Sequence, residues 1–166
     1  MGISSNEFLQ YVIQPTLRQL GVKSGVAEQL LLATASFQSG LGQQLQQNQG
    51  IGVYGISPEM HTDVWDHFIA LNCDLASQVR GMASQHEFPK APHSELLTNL
   101  SYATAIAWLI YCHRGVKIPD AADPATLAKC WQNAFVDRPS NDAEAGEFIC
   151  CYVELLAKDA ATHLAA

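Results

Sequence analysis

Apolar residues recur at intervals of three and four along most of the chain, the spacing that places them on one face of an α-helix. The first such segment spans residues 5–20, and Pro15 predicts a kink or a split within it because proline cannot donate a backbone hydrogen bond. The second begins after Ser24, a preferred capping residue, and stops at Gly40. The pattern thus predicts a helix that ends directly after Gln38 and Ser39.

A segment rich in glutamine and glycine interrupts the helical pattern between residues 43 and 56. Its few apolar residues predict a loop or a minimal hairpin rather than a helix. Ser57-Pro58-Glu59 then combines a capping residue, a proline suited to the first helical position and an acid suited to the positive end of the helix dipole. A helix is therefore expected from Pro58 to about Ala83.

The second half of the chain continues the helical pattern. A long apolar helix, which we expect to be central, is predicted from a Ser94 cap to an end at Gly115, and Asp123-Pro124 starts a shorter one. A last helix is expected from about Asn141. The whole pattern predicts an all-α protein of six or seven helices, in one domain that covers residues 1–166.

The charge of the chain and the length of its apolar runs exclude two classes of interaction, nucleic-acid binding and membrane spanning. The 166 residues include 16 acidic and 9 basic side chains, for a net charge of −7, and the basic residues are scattered singly. Nucleic acid is therefore an unsuitable partner, because phosphate binding depends on clustered positive charge. No apolar run approaches the roughly 18 to 20 residues that cross a bilayer, so no membrane span is predicted.

The start of the chain and its cysteines indicate a reducing compartment. No basic region precedes an apolar stretch at the N-terminus, so we expect no signal peptide and synthesis in the cytoplasm. Cysteine occurs five times, mostly in apolar helical surroundings where it behaves as a small hydrophobic residue. The predictions are no disulfide framework, no metal site and no cofactor, because no Cys-X-X-Cys or His-X-X-X-His spacing is present.

The most distinctive segments are Gln38-Ser39-Gly40-Leu41-Gly42 and the stretch from Gly52 to His61. They resemble the lysozyme-like lytic transglycosylases, in particular small proteins of that type from tailed bacteriophages. In that family a helix ends in a catalytic glutamate followed by serine, and a Gly-Leu-X-Gln stretch leads to a proline-started helix. The similarity extends to residues 27–35, 99–105 and 128–131. It implies a lysozyme-like fold, a phage origin and peptidoglycan or other virion proteins as partners.

Three positions depart from the family pattern together. Gln38 stands where the family has its general acid, Gly55 where it has the glutamine of the glycine loop, and Ser57 where phage relatives often have an acid. An amide cannot supply the ionisable proton, and general acid–base catalysis contributes about 10² to 10⁴ in rate. Gln38 alone is also what a deliberate Glu-to-Gln inactivation would leave, whereas the joint departures favour natural loss of activity.

Other carboxylates are weaker catalytic candidates. Glu59 lies two residues from the position of the expected acid, and its place in a first helical turn suits an interaction with the helix dipole. Asp63 and His67 lie four residues apart and are expected to form a solvated surface pair.

The resemblance also suggests which residues contact a ligand and what the protein does. The ligand-binding candidates are Ser39, Tyr54, Gly55, Ser57 and Tyr102. The favoured hypothesis is a degenerate lysozyme-like domain, a pseudoenzyme that serves as a phage structural or virion-associated interaction protein and retains glycan binding. The alternatives are an active peptidoglycan lyase or muramidase with a relocated acid, Glu59 being the candidate, and a non-catalytic inhibitor of a host protein.

Overall fold

The computed structural model describes residues 2–47, 49–139 and 141–164, and most of them are helical. The α-helices are α1 (Ser5–Phe8), α2 (Gln14–Gln19), α3 (Gly25–Ser39), α4 (Pro58–His67), α5 (Cys73–Met82), α6 (Glu95–Thr98), α7 (Leu100–His113), α8 (Pro124–Phe135) and α9 (Asp142–Leu164). A π-helical turn covers Leu9–Ile13, and 3₁₀ turns cover Ile69–Leu71 and Pro92–Ser94. The predicted all-α class is confirmed.

The first helical segment is divided as Pro15 predicted. The π-helical turn lies between α1 and α2, and Pro15 occupies the first turn of α2. Proline has no N–H to donate to the carbonyl four residues earlier, and its ring crowds that carbonyl, so the preceding turn widens. The chain remains helical on both sides of the division.

Helix α3 begins and ends where the sequence predicted. The Ser24 hydroxyl accepts a hydrogen bond from the backbone N–H of Ala27, at 3.2 Å. Gly40 adopts a left-handed conformation, with φ at 59°, and Leu41 N donates to the Ala35 carbonyl in the manner of a Schellman end. This ending holds Gln38 and Ser39 in the last turn of the helix.

Two predicted helices were too long, because asparagine caps interrupt them. Helix α4 stops at His67 rather than near Ala83, and the side chain of Asn72 accepts hydrogen bonds from the first backbone N–H groups of α5. Ser94 does not cap the central helix through its side chain; Asn99 caps α7 instead, after the single turn of α6. An asparagine side chain competes with the helix backbone and so restarts a helix at these points.

The glutamine-rich segment forms the minimal hairpin. Strands β1 (Gln46–Gln47) and β2 (Gly50–Ile51) pair antiparallel, with Gln46 opposite Ile51, and a further bridge joins Ile51 to Ile56. The hairpin returns the chain from the end of α3 to the start of α4. These two helix ends therefore lie side by side.

Helix α7 lies at the centre of the molecule. All its side chains from Tyr102 to Tyr111 are buried, and α2, α4, α5 and α8 pack around it. A helix that is apolar on every face needs such surroundings. Apart from Ala105, the buried apolar side chains of the described residues form one hydrophobic cluster. Positions 1, 48, 140, 165 and 166 of the predicted single domain lie outside the described residues. In the described part of the chain, every helix is too short or too polar to cross a bilayer.

Candidate functional site

Gln38 lies at the junction of α3 and the hairpin and is half-buried. The backbone of Gly55 passes directly against it: a Cβ atom on Gly55 would lie 3.0 Å from Gln38 Oε1. Gly55 also has a φ of 58°, in the left-handed region that glycine adopts most readily. Two of the three positions that depart from the family pattern are thus in mutual contact.

Ser39 connects the helix end to the hairpin from within the core. Its side chain is 2% exposed, and its hydroxyl donates to the Val53 carbonyl at 2.7 Å. The same oxygen accepts from the backbone N–H of Gly42 at 3.0 Å. Ser39 therefore positions the wall of the site, and its polar atom faces the protein interior rather than a ligand.

Tyr54 and Tyr102, predicted to contact a ligand, are both fully buried. The hydroxyl of Tyr54 pairs with Thr104 Oγ1 at 3.1 Å, and burial raises the pKa of this phenol far above its ordinary value. Burial likewise raises the pKa of Tyr102, whose hydroxyl is engaged by His61 and Trp65. The structure gives both tyrosines a packing role and does not bring them to a surface where a ligand would bind.

Ser57 does lie at the site, together with Gly55. Its hydroxyl accepts from the backbone N–H of Met60 at 3.1 Å, which confirms Ser57 as the cap of α4. Both Ser57 and Gly55 line a cavity of about 260 Å³ that Gln38 also lines. The first turn of α4 therefore forms one side of this cavity.

A larger cavity of about 660 Å³ adjoins the first and is also lined by Gln38. Gln47, Phe135 and Asp137 border both cavities. We call the two together the Gln38 groove. Its larger half is completed by residues from the end of α3, from α8, from the segment between α8 and α9, and from the start of α9: Phe37, Trp131, Val136, Arg138, Glu144 and Glu147.

The larger half of the groove carries carboxylates that sequence reasoning did not select. Asp137 pairs with Arg114 at 2.9 Å, and Glu144 pairs with Arg138 through Oε1. Glu147 follows Glu144 by three residues on α9, a spacing that places both on one helical face. The sequence shows this spacing, but it is the packing of α9 against α3 and α8 that brings the two glutamates to the groove.

Two polar atoms that belong to residues lining this cavity are buried without a hydrogen-bond partner among the described residues. They are Nε1 of Trp131, a donor, and Oε2 of Glu144, an acceptor. The Trp131 side chain is packed against Phe37 and Phe148, and only 4% of the residue is exposed. Because an unsatisfied buried polar atom costs about 1 to 3 kcal/mol, each of these atoms calls for a partner, such as an ordered water or a ligand group, that the described residues do not supply.

Comparison of the chain with protein-family models, with curated proteins and with solved structures finds no match.

Glu59 lies away from the groove. It is exposed in the first turn of α4 and lines a separate shallow cavity with Asp63, Asp66 and His67. Its carboxylate is therefore on a different face of α4 from the wall that Ser57 and Met60 contribute to the groove. The structure does not bring Glu59 to Gln38.

Asp63 and His67 form the expected surface pair, with Nδ1 and Oδ1 3.0 Å apart. The structure extends this pair, because Nε2 of His113 lies 3.0 Å from Oδ2 of the same carboxylate. Desolvation alone would raise the pKa of Asp63, but the hydrogen bond from His113 and the charges of His113, Arg114 and His67 outweigh it and lower this pKa. The cluster binds α4 to the end of α7.

The cysteines and metal-ligating residues form no further site in the described residues. All five cysteines are free thiols, and burial raises the pKa of Cys112 to about 11. No group of three His, Cys, Asp or Glu side chains in the described ranges is arranged to hold a metal ion.

Proposed function

We propose that this chain is a lysozyme-like domain of the lytic transglycosylase type that binds a peptidoglycan glycan in the Gln38 groove without cleaving it. It would serve as a structural or interaction protein associated with a phage virion. The proposal is supported by the arrangement that the resemblance implied: a helix that ends at Gln38-Ser39, a hairpin, and a helix started by Ser57-Pro58 that together border one groove.

The observation that carries the glycan-binding proposal is an unpaired donor and an unpaired acceptor on two residues of the groove. Trp131 and Glu144 line the same cavity, and Nε1 of Trp131 and Oε2 of Glu144 are buried without a partner among the described residues. The acetamido group of an N-acetylated sugar carries a carbonyl oxygen that accepts a hydrogen bond and, on the other side of the carbonyl carbon, an N–H that donates one. We propose that the oxygen accepts from the indole N–H and that the N–H donates to the carboxylate, while Phe135 and the glutamine side chains contact the rest of the ring.

Loss of cleavage follows from the chemistry at Gln38. A general acid must transfer a proton to the glycosidic oxygen, and a carboxamide has no ionisable proton to transfer. Gly55 supplies no side chain beside Gln38 that takes over this role. The groove therefore retains the means to hold a sugar and lacks the acid that the family pattern places there.

Calorimetric titration with N-acetylglucosamine oligomers tests the binding proposal. We expect the wild-type chain to bind, and Trp131→Phe, which keeps an aromatic ring and removes the N–H, to bind about 5- to 10-fold more weakly because one hydrogen bond is lost. Trp108→Phe is the matched control, since Trp108 is a nearly buried tryptophan of α7 that does not line the groove. Equal affinity in the two variants, or no binding by the wild type, would contradict the proposal.

A catalytic function with a relocated acid is the second candidate, favoured by the carboxylates that share a cavity with Gln38. Because Glu59 lies outside that cavity, cleavage by this route would depend on Glu144 or Glu147 rather than on Glu59. Release of muropeptides that is lost in Glu144→Gln or Glu147→Gln and kept in Glu59→Gln would establish this function in place of the first.

A further inference from the structure

A chain of hydrogen bonds joins four side chains on the side of α4 away from the Gln38 groove. The indole Nε1–H of Trp65 donates to the Tyr102 hydroxyl at 2.8 Å, and this hydroxyl lies 2.7 Å from Nε2 of His61. Nδ1 of His61 in turn lies 2.8 Å from Nδ1 of His93. Three of these side chains, those of His61, Trp65 and His93, border a cavity of about 380 Å³.

One placement of the protons satisfies every contact in the chain. The Tyr102 oxygen accepts from Trp65, so its own proton is donated to Nε2 of His61. His61 then carries its proton on Nδ1 and donates it to Nδ1 of His93. The opposite placement would leave the Tyr102 hydroxyl proton without an acceptor in this group, which is costly because the residue is fully buried.

The contact between the two histidines joins separate elements. His61 belongs to α4 and is 1% exposed, whereas His93 belongs to the 3₁₀ turn Pro92–Ser94 that precedes α6. The hydrogen bonds of Ser94 within this turn are local, since both its N–H and its hydroxyl donate to the Ala91 carbonyl. The His61–His93 contact therefore fastens the turn to α4.

We infer that His61 and His93 form an acid-released latch, which holds the Pro92–Ser94 turn against α4 at neutral pH and frees it when both imidazoles are charged. Only one proton fits between two Nδ1 atoms 2.8 Å apart. With two protons on each ring, two N–H donors and two positive charges would face each other. Release of the turn would open the cavity beside Trp65.

The charged groups around the latch do not neutralise a second positive charge. Asp66 is the carboxylate at the cavity wall and is exposed, so solvent screens it. Arg80 lies over the Phe88 ring at 4.4 Å, and Glu95 is buried and accepts a hydrogen bond from Asn99. The loop before the turn carries three exposed ionisable residues, His86, Glu87 and Lys90.

The burial of His61 also supports release in acid rather than at neutral pH. Desolvation, followed by the neighbouring His93, lowers the pKa of His61 from 6.5 to about 4. His61 therefore stays neutral at pH 7 and becomes charged only in acid.

Fluorine NMR of the full chain labelled with 5-fluorotryptophan tests the latch. The Trp65 signal is assigned from its absence in Trp65→Phe, and samples are titrated from neutral pH to pH 4 while far-UV circular dichroism records the helix content. His93→Asn keeps a hydrogen-bonding atom near the Nδ1 position and does not titrate, and His93→Gln is a second non-titrating variant should the first fold poorly. His86→Asn, in the exposed loop, is the matched control.

The latch predicts that the Trp65 signal of the wild type and of His86→Asn moves to a solvent-exposed position, with a midpoint between the ordinary histidine pKa of 6.5 and the value of about 4 for His61. The signal should stay in place in the His93 variants, and helix content should be unchanged in all samples. A Trp65 signal that does not move in the wild type, that moves equally in a folded His93 variant, or that moves only as helix content is lost would overturn the inference.

Discussion

Gln38 and Gly55 depend on each other at the level of single atoms. Gln38 occupies the volume that a side chain on residue 55 would enter, and the left-handed backbone of Gly55 brings the two together. A non-glycine residue at such a φ costs about 1 to 2 kcal/mol before any contact is considered. The two departures from the pattern of the family that the chain resembles are therefore coupled by geometry.

Gly55→Gln, which introduces the residue that the resemblance led us to expect here, should destabilise the protein by about 2 to 3 kcal/mol because it adds backbone strain and a close contact with Gln38. Urea unfolding measures this change. Gly81→Gln is the control, since Gly81 lies in the exposed part of α5 with open space around it. At this position we expect the free energy of unfolding to rise by about 0.5 to 1 kcal/mol, because glutamine favours a helix more than glycine does. A Gly55 variant as stable as the wild type would show that the hairpin does not need glycine at this position.

At the level of elements, the helix ends that border the groove were the most predictable part of the fold. Ser24, Gly40, Ser57 and Asp123 act as the sequence indicated, because each forms a local motif whose partner lies within six residues. The interruptions at Asn72 and Asn99 were missed, since the apolar spacing continues through them and an asparagine inside such a pattern does not reveal whether its side chain caps a helix.

Alanine substitutions at Asn99 and at Ser94 test which of the two residues caps the central helix. Asn99→Ala should lower the free energy of unfolding by about 1 to 2 kcal/mol, because the α7 cap and the hydrogen bonds to Met82 and Glu95 are lost together. Ser94→Ala should change it by less than about 0.5 kcal/mol, since Ser94 is not a side-chain cap. Chemical denaturation measures the free energy of unfolding of both variants. A larger loss in Ser94→Ala than in Asn99→Ala would indicate that Ser94, and not Asn99, is the cap of the central helix.

At the scale of the whole molecule, stability should depend on pH through His61. The pKa of His61 is lowered to about 4 in the folded protein, so between pH 4 and 6.5 the unfolded chain binds the extra proton. The free energy of unfolding should therefore fall as the pH drops through this window, by an amount on the order of 3 kcal/mol. Urea unfolding at pH 7 and pH 4.5 measures the difference. His61→Gln should reduce the dependence, whereas His86→Gln, in the exposed loop, should leave it close to that of the wild type.

The location of the candidate site was predictable in part. The sequence indicated that Gln38, Gly55 and Ser57 belong together, because they flank one short hairpin. It did not indicate that Tyr54 and Tyr102 are buried, or that Glu144 and Trp131 line the same groove, because these outcomes depend on how α7, α8 and α9 pack. Helix packing of this kind involves residues roughly a hundred positions apart, and hydrophobic spacing along one chain does not record it.

Incubation of the purified wild-type chain with bacterial peptidoglycan sacculi tests the central claim most directly, because binding and cleavage are measured in the same sample. Co-sedimentation reports binding, and chromatography of the supernatant reports released muropeptides. We predict that the chain sediments with the sacculi, that excess N-acetylglucosamine oligomer releases it, and that no muropeptides appear. Reproducible muropeptide release that a substitution in the Gln38 groove abolishes would contradict the account.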